Sequence, residues 1–155
     1  MKKTIFFAVF ILIFFSGIAS AEEMTFERYK NLVTEDVMPD GFKLNKSRTM
    51  NMRSSFRVEF TGDESKMEMI SIWLTLGKKM ITEVEKMGKP ELFKYKGREG
   101  MYRDGNKAGI GAYILILKNE KGKLLISHRV FGGKFLDKAG FEKIIENIGL
   151  DKLEN

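Results

Sequence analysis

Apolar and polar positions alternate most cleanly over residues 109–131. Two apolar runs flank a polar Asn119-Glu120-Lys121-Gly122 break, which predicts a β-hairpin. On the outgoing strand Ile110, Ala112, Ile114 and Ile116 share one face, and Tyr113, Leu115 and Leu117 the other. On the return strand Leu124, Ile126, His128 and Val130 oppose Leu125, Ser127, Arg129 and Phe131. Both faces are apolar along much of the hairpin, so cover is expected on both sides. Residues 66–76 show the same doubling: Met67, Met69 and Trp73 on one face, Ile70, Ile72, Leu74 and Leu76 on the other. That pattern predicts a second central strand. Residues 55–60 alternate Phe56, Val58 and Phe60 against Arg57 and Glu59, a half-buried strand. Residues 92–98 alternate Phe93 and Tyr95 against Lys94, Lys96 and Arg98, and residues 101–104 continue as a short strand. Residues 43–52 are polar and basic and read as an edge strand or a loop.

Three segments switch to the helical period. Phe26, Tyr29 and Val33 share a face in a short first helix, with Thr25 as its cap. Met80, Val84 and Met87 place a middle helix over residues 79–87, stopped by Gly88 and Pro90. Phe141, Ile144, Ile145 and Ile148 form the stripe of a last helix. Asp137 is its expected N-cap, Leu136 and Phe141 a hydrophobic staple, and Gly149 its end. The expected fold is α+β: a twisted antiparallel sheet of about five to six strands packed against N-terminal, middle and C-terminal helices.

The first residues have a different character. Lys2-Lys3, an apolar run over 5–15 and Ala19-Ser20-Ala21 make a secretory signal peptide of bacterial style, cleaved after Ala21. The run is shorter than the roughly 20 apolar residues of a membrane span, the alternative being a retained anchor. Residues 22–155 then form a single domain in the periplasm or outside the cell. Removing Lys2 and Lys3 lowers the net charge from +6 to +4, and the chain has no cysteine. Thiolate metal sites and thiol nucleophiles are thereby excluded. Export argues against nucleic acid as a partner.

Candidate chemistry is sparse. His128 is the single histidine, with no carboxylate at ligand spacing in the sequence, and reads as structural. Ser127 neighbours it, but adjacent strand residues point to opposite faces and do not pair as nucleophile and base. Asp104-Gly105-Asn106-Lys107-Ala108-Gly109 begins like a calcium loop but has Ala108 at the fifth position and Leu115 at the twelfth. Gly109-x-Gly111 and Gly132-Gly133-Lys134 lack the spacing of a phosphate cradle. Glu83, Glu85, Glu142 and Glu146 read as solvated helix faces. No cofactor is expected. Two surfaces remain: an apolar ligand or partner face with Met67, Met69, Trp73 and Tyr113, and an anionic-surface contact through Lys94, Lys96 and Arg98. Lys43, Lys46, Arg48, Arg53 and Arg57 form a further basic cluster, suited to charged edge strands.

The order of first helix, Pro39-Asp40-Gly41-Phe42 turn, strands, Tyr95-Lys96-Gly97, long hairpin and terminal helix resembles small exported bacterial domains of unknown function with a PsbP-like layout. The resemblance is one of layout and implies an accessory or binding role, with no site residues transferred. The expected function is an exported, non-enzymatic accessory or binding protein of the cell envelope. It would act through an apolar sheet face on another envelope protein, a small apolar ligand or a second copy. The alternatives are a cationic module on the membrane or cell wall, and a hydrolase with an unrecognised site.

Overall fold

The computed structural model describes residues 23–77 and 89–155. The signal peptide expected over 1–21 and the middle helix expected over 79–87 lie outside the described residues. Within them the chain is α+β with one antiparallel sheet. Its strands are β1 (Lys43–Leu44), β2 (Met50–Met52), β3 (Ser55–Thr61), β4 (Met69–Leu76), β5 (Glu91–Tyr95), β6 (Arg98–Arg103), β7 (Gly111–Ile116) and β8 (Gly122–Arg129). The order across the sheet is β1-β3-β4-β8-β7-β6-β5, with β2 also on β3. Thus β5 to β8 form a meander, and β8 joins it to β4 in the middle of the sheet.

The helices are α1 (Phe26–Leu32), α2 (Gly105–Ala108), α3 (Lys138–Ile148) and α4 (Leu150–Glu154). Thr25 caps α1 by accepting from the Arg28 N–H, and Asp137 caps α3 by accepting from the Gly140 N–H. One sheet face carries Phe56, Val58, Phe60, Ile70, Ile72, Leu74, Leu124, Ile126, Tyr113 and Leu115. It packs against Tyr29 of α1, the Phe141, Ile144, Ile145 and Ile148 stripe of α3, and Leu150 and Leu153 of α4. Tyr29 is fully buried and donates its hydroxyl to the Ile72 carbonyl at 2.7 Å, which pins α1 on the central strand. Burial pushes its phenol pKa well up.

Three boundaries differ from the sequence reading. The strand expected over 92–98 is a hairpin: Lys96 (φ 48°) and Gly97 (φ 77°) turn the chain between β5 and β6. Two successive left-handed residues are the signature of a tight hairpin turn, and Lys-Gly supplies them without the usual Asn-Gly. Strand β4 starts at Met69, because residues 64–66 form a 3-10 turn that ends on Met67 at φ 47°. Beyond Gly149 the chain continues as α4.

Helix α4 is present because a buried ion pair closes the fold there. Arg98, on β6, faces the helices and is buried, as is Glu154. The guanidinium Nε donates to Glu154 Oε1 at 2.6 Å and Nη2 to Oε2. The Lys118 N–H also donates to Glu154 Oε1 at 2.8 Å, and Lys121 Nζ donates to the Glu154 carbonyl at 2.6 Å. Burial alone would raise the Glu154 carboxyl; Arg98 and the Lys118 N–H outweigh it and hold the pKa below the usual range. Removing one partner leaves an uncompensated buried charge. Arg98→Met is therefore expected to cost about 3–5 kcal/mol in urea unfolding, and the double variant Arg98→Met, Glu154→Leu to recover most of it. Equal, small losses in both variants would show that the pair does not close the fold.

Candidate functional site

The face of the sheet turned away from α1 and α3 is organised in rows by the strand register. One row runs Arg57, Trp73, Leu125, Ile114, Met101, Leu92 from β3 to β5. Ile114 and Leu125 are buried at its centre, with Ala112 beside them in the next row and Trp73 and Met101 packed against the three. The Arg57 guanidinium lies over the Trp73 ring, 5.1 Å from its centroid. At the other end Leu92 is 75% exposed. Leu92, Met101 and Ile116, with Phe93, Lys94, Glu99 and Gly100, line an open groove of about 480 Å³. A second row runs Glu59, Ser71, Ser127, Ala112, Arg103. Glu59 is buried, and its carboxylate accepts from Ser71 Oγ at 2.9 Å and pairs with Arg48 and Arg57 at 3.4 and 3.3 Å. Arg103 Nη1 is buried with no hydrogen-bond partner.

Strand β5 is an edge: among the described residues it pairs only with β6. Its helix-side residues are occupied. Lys138 Nζ sits 4.2 Å from the Phe93 ring centroid and 2.9 Å from Glu91 Oε1. Phe93 lies across Gly100 of β6, where an added Cβ would meet the ring at 2.4 Å, and packs on Tyr113 at 4.7 Å between centroids. The free positions of β5 are Leu92 and Lys94, on the second face.

The structure separates residues that the sequence reading grouped. Met69 and Trp73 lie on the second face, with Met67 exposed just beyond the start of β4. Tyr113 does not. It is fully buried on the helix side, its ring 6.0 Å from Phe141, and its hydroxyl donates to Glu142 Oε1 at 3.3 Å. Burial, with the Glu142 charge beside it, drives its phenol pKa upward. It is thus a core residue, and strand parity is the reason: Tyr113 pairs with Ile126, not with Leu125. Lys94, Lys96 and Arg98 do not form one row either. The turn at Lys96 and Gly97 intervenes, so Lys94 stands opposite Glu99 on the second face. Lys96 reaches Glu146 at 3.2 Å, and Arg98 is buried against Glu154.

His128 has the chemical partner that spacing in the sequence failed to show. Its Nδ1 accepts the Leu136 N–H at 3.0 Å, so the ring proton resides on Nε2, which donates to Glu68 Oε1 at 3.1 Å. Glu68 Oε2 accepts the Asp63 N–H at 3.2 Å. The pairing of Ile70 with His128 puts Glu68 one diagonal step away on the same face, and that parity was the available signal. The ring is 1% exposed, between Phe42 and Phe135. Both ring nitrogens are committed, which suits a strut between β4, β8 and the segment leading to α3. Ser127 points to the opposite face.

Asp104 caps α2 by accepting from the Asn106 N–H, and the stretch that begins like a calcium loop is a short helix. Among the described residues no group of three or more His, Asp or Glu converges, and no helix is long and apolar enough to cross a membrane. Compared with protein-family models, curated proteins and solved structures, the chain has no match. The PsbP-like layout therefore remains an expectation from the order of elements.

The locked tautomer gives stability a pH dependence. Burial lowers the His128 pKa, with Glu68 opposing it in part. A second ring proton would face the Leu136 N–H. The unfolded chain binds that proton more readily, so stability is full above the ordinary histidine value near 6.5 and is lost as pH falls through it toward the lower folded value. Urea midpoints between about pH 7.5 and about pH 5.5 are expected to fall more steeply for the parent than for His128→Gln. Parallel pH slopes would show that His128 does not carry the effect.

Proposed function

We propose that the protein is an exported, non-enzymatic accessory or binding protein of the bacterial cell envelope. It takes an extended segment of another envelope protein along β5, with that segment's apolar side chains in the groove at Leu92, Met101 and Ile116. The observation that carries this reading is Leu92, 75% exposed on an edge strand at the end of an apolar row. Edge strands usually carry charge or bulges that discourage pairing. Here β5 carries Lys94 on its free face but runs without a bulge over its five paired residues, and its outward apolar residue borders the groove. Main-chain hydrogen bonds to such an edge supply affinity, and pockets for alternate side chains supply specificity. His128 supports a role without catalysis, because both ring nitrogens are committed and solvent does not reach it.

A photo-crosslinking residue at position 92, introduced in the producing cells, is expected to give a discrete adduct of higher mass. The same residue at Lys143, exposed on α3, is expected to give none. An adduct of twice the chain mass would replace the foreign segment by β5 of a second copy. Labelling at 92 no stronger than at 143 would reject β5 as the binding edge.

A further inference from the structure

We propose that the end of the sheet where β4 begins and β8 ends is a contact surface for an anionic phospholipid bilayer, with Phe131 and Met67 as the inserting pair. The last partners of the β4–β8 ladder are Met69 and Arg129, and the chain just beyond them carries Met67 on one side and Phe131 on the other. The Phe131 N–H donates to the Lys66 carbonyl at 2.7 Å, which holds the two segments side by side. Phe131 is 75% exposed and Met67 65%. Single exposed apolar residues are ordinary on a protein surface; two large ones on adjoining segments tied by a main-chain hydrogen bond are less so.

The backbone presents them outward. Met67 ends the turn over residues 64–66 in the left-handed region, at φ 47° and ψ 40°, where a residue with a Cβ is strained and Gly or Asn would be at ease. The strain gives no burial in return, because the side chain stays in solvent. Phe131 leads into Gly132 (φ 67°) and Gly133, which carry no side chain to shield it.

The charges around the pair are mainly cationic. Arg129 and Lys134 are exposed and have no carboxylate partner among the described residues. Arg48, bound to Glu59, reaches Met69 Sδ at 3.6 Å. The neighbouring acids are largely committed. Lys66 binds Asp63 at 2.8 Å and holds its carboxyl down at about 2, and Glu68 is taken by His128 and the Asp63 N–H. Glu64 remains as an exposed carboxylate. Apolar side chains flanked by free cations match the two attractions that hold a peripheral protein at an anionic bilayer: burial at the acyl boundary and charge at the headgroups. Among the described residues a protein partner would find no open strand edge here, since β4 lies between β3 and β8 and β8 between β4 and β7. These observations are independent of β5, which lies at the far edge of the sheet.

Co-sedimentation with vesicles tests this, using the chain purified after export. Each variant is compared with a parent of identical N-terminus, so that any contribution from residues before Glu23 cancels. The parent is expected to bind equimolar phosphatidylglycerol and phosphatidylcholine vesicles at low salt, and pure phosphatidylcholine vesicles much less. Phe131→Ser and Met67→Asn are each expected to weaken binding about tenfold. Asn tolerates the left-handed backbone, so Met67→Asn is expected to melt no lower than the parent, which separates lipid contact from folding. Arg129→Gln combined with Lys134→Gln is expected to weaken binding and flatten its salt dependence. Leu92→Gln is expected to bind as the parent does. Failure of the parent to bind the anionic vesicles at low salt would overturn the proposal. So would parental binding by both Phe131→Ser and Met67→Asn, which would leave only a charge contact with no insertion.

Discussion

The structure depends on one non-local pairing, β4 with β8. Eight residue pairs, from Met69–Arg129 to Leu76–Gly122, join segments separated by the whole β5–β7 meander. Closing so long a loop costs entropy before any contact returns it, so the pairing needs strong apolar support. It has that support: Ile70, Ile72, Leu74, Leu124 and Ile126 are all fully buried on the helix side. At about 1.5–3 kcal/mol for each fully buried aliphatic side chain, this cluster is the largest cohesive block in the sheet. The Tyr29 hydroxyl and the His128–Glu68 bridge both attach to it.

Polar groups placed inside this frame fix its register. A slip of one residue exchanges the two faces of a strand. In β4 it would bring Ser71 and Trp73 toward the helices and expel Ile70 and Ile72. In β8 it would separate His128 from Glu68 and Leu136. Glu59, His128 and the Arg98–Glu154 pair each sit in the interior with their partners supplied by a different strand, loop or helix. Such groups are costly wherever a partner is missing, so they penalise wrong registers more than they stabilise the right one.

The antiparallel α+β sheet was legible in the sequence wherever apolar alternation was strong: β3, β4, β7, β8 and the stripe of α3. Tyr113 was legible too, since its parity already set it with Leu115 in the core; grouping it with Trp73 ignored that parity. The β5–β6 hairpin was misread because the Phe93 and Tyr95 alternation runs on through Lys96 and Arg98, and only Gly97 marked the turn. The burial of Arg98 had no local sign, because its partner, Glu154, is 56 residues away. Helix α4 was missed for the same reason: five residues have too little periodicity to announce themselves, and tertiary contacts hold them. The exposed Met67 was visible as a residue but not as a conformation, since nothing in Ser65-Lys66-Met67 signals a left-handed backbone.

Among the described residues three non-glycine residues have positive φ: Met67, Lys96 and Asn119. Lys96 lies in a two-residue hairpin turn and Asn119 in the β7–β8 connection, and the chain reversal there accounts for the conformation. Asn also tolerates that region better than other residues. Met67 lies in the β3–β4 connection, where Thr61 pairs with Met69 and the Gly62 N–H donates to the Glu68 carbonyl, so a reversal accounts for its backbone too; what the fold does not require there is a large apolar side chain left in solvent, where Gly or Asn would be less strained. A sequence that satisfies local rules almost everywhere, and breaks one where no buried contact compensates, points to a requirement outside its own fold. Leu92 is the same argument in another form: an apolar side chain left in solvent on a strand edge, where a charged residue would fold as well. The two departures lie at opposite ends of the second face, while its centre, Ile114 and Leu125, is already buried. Whatever this face meets must therefore meet it at the margins, and the two margins differ in kind. One offers a strand edge that is open among the described residues, with a groove beside it. The other offers an apolar pair among free cations.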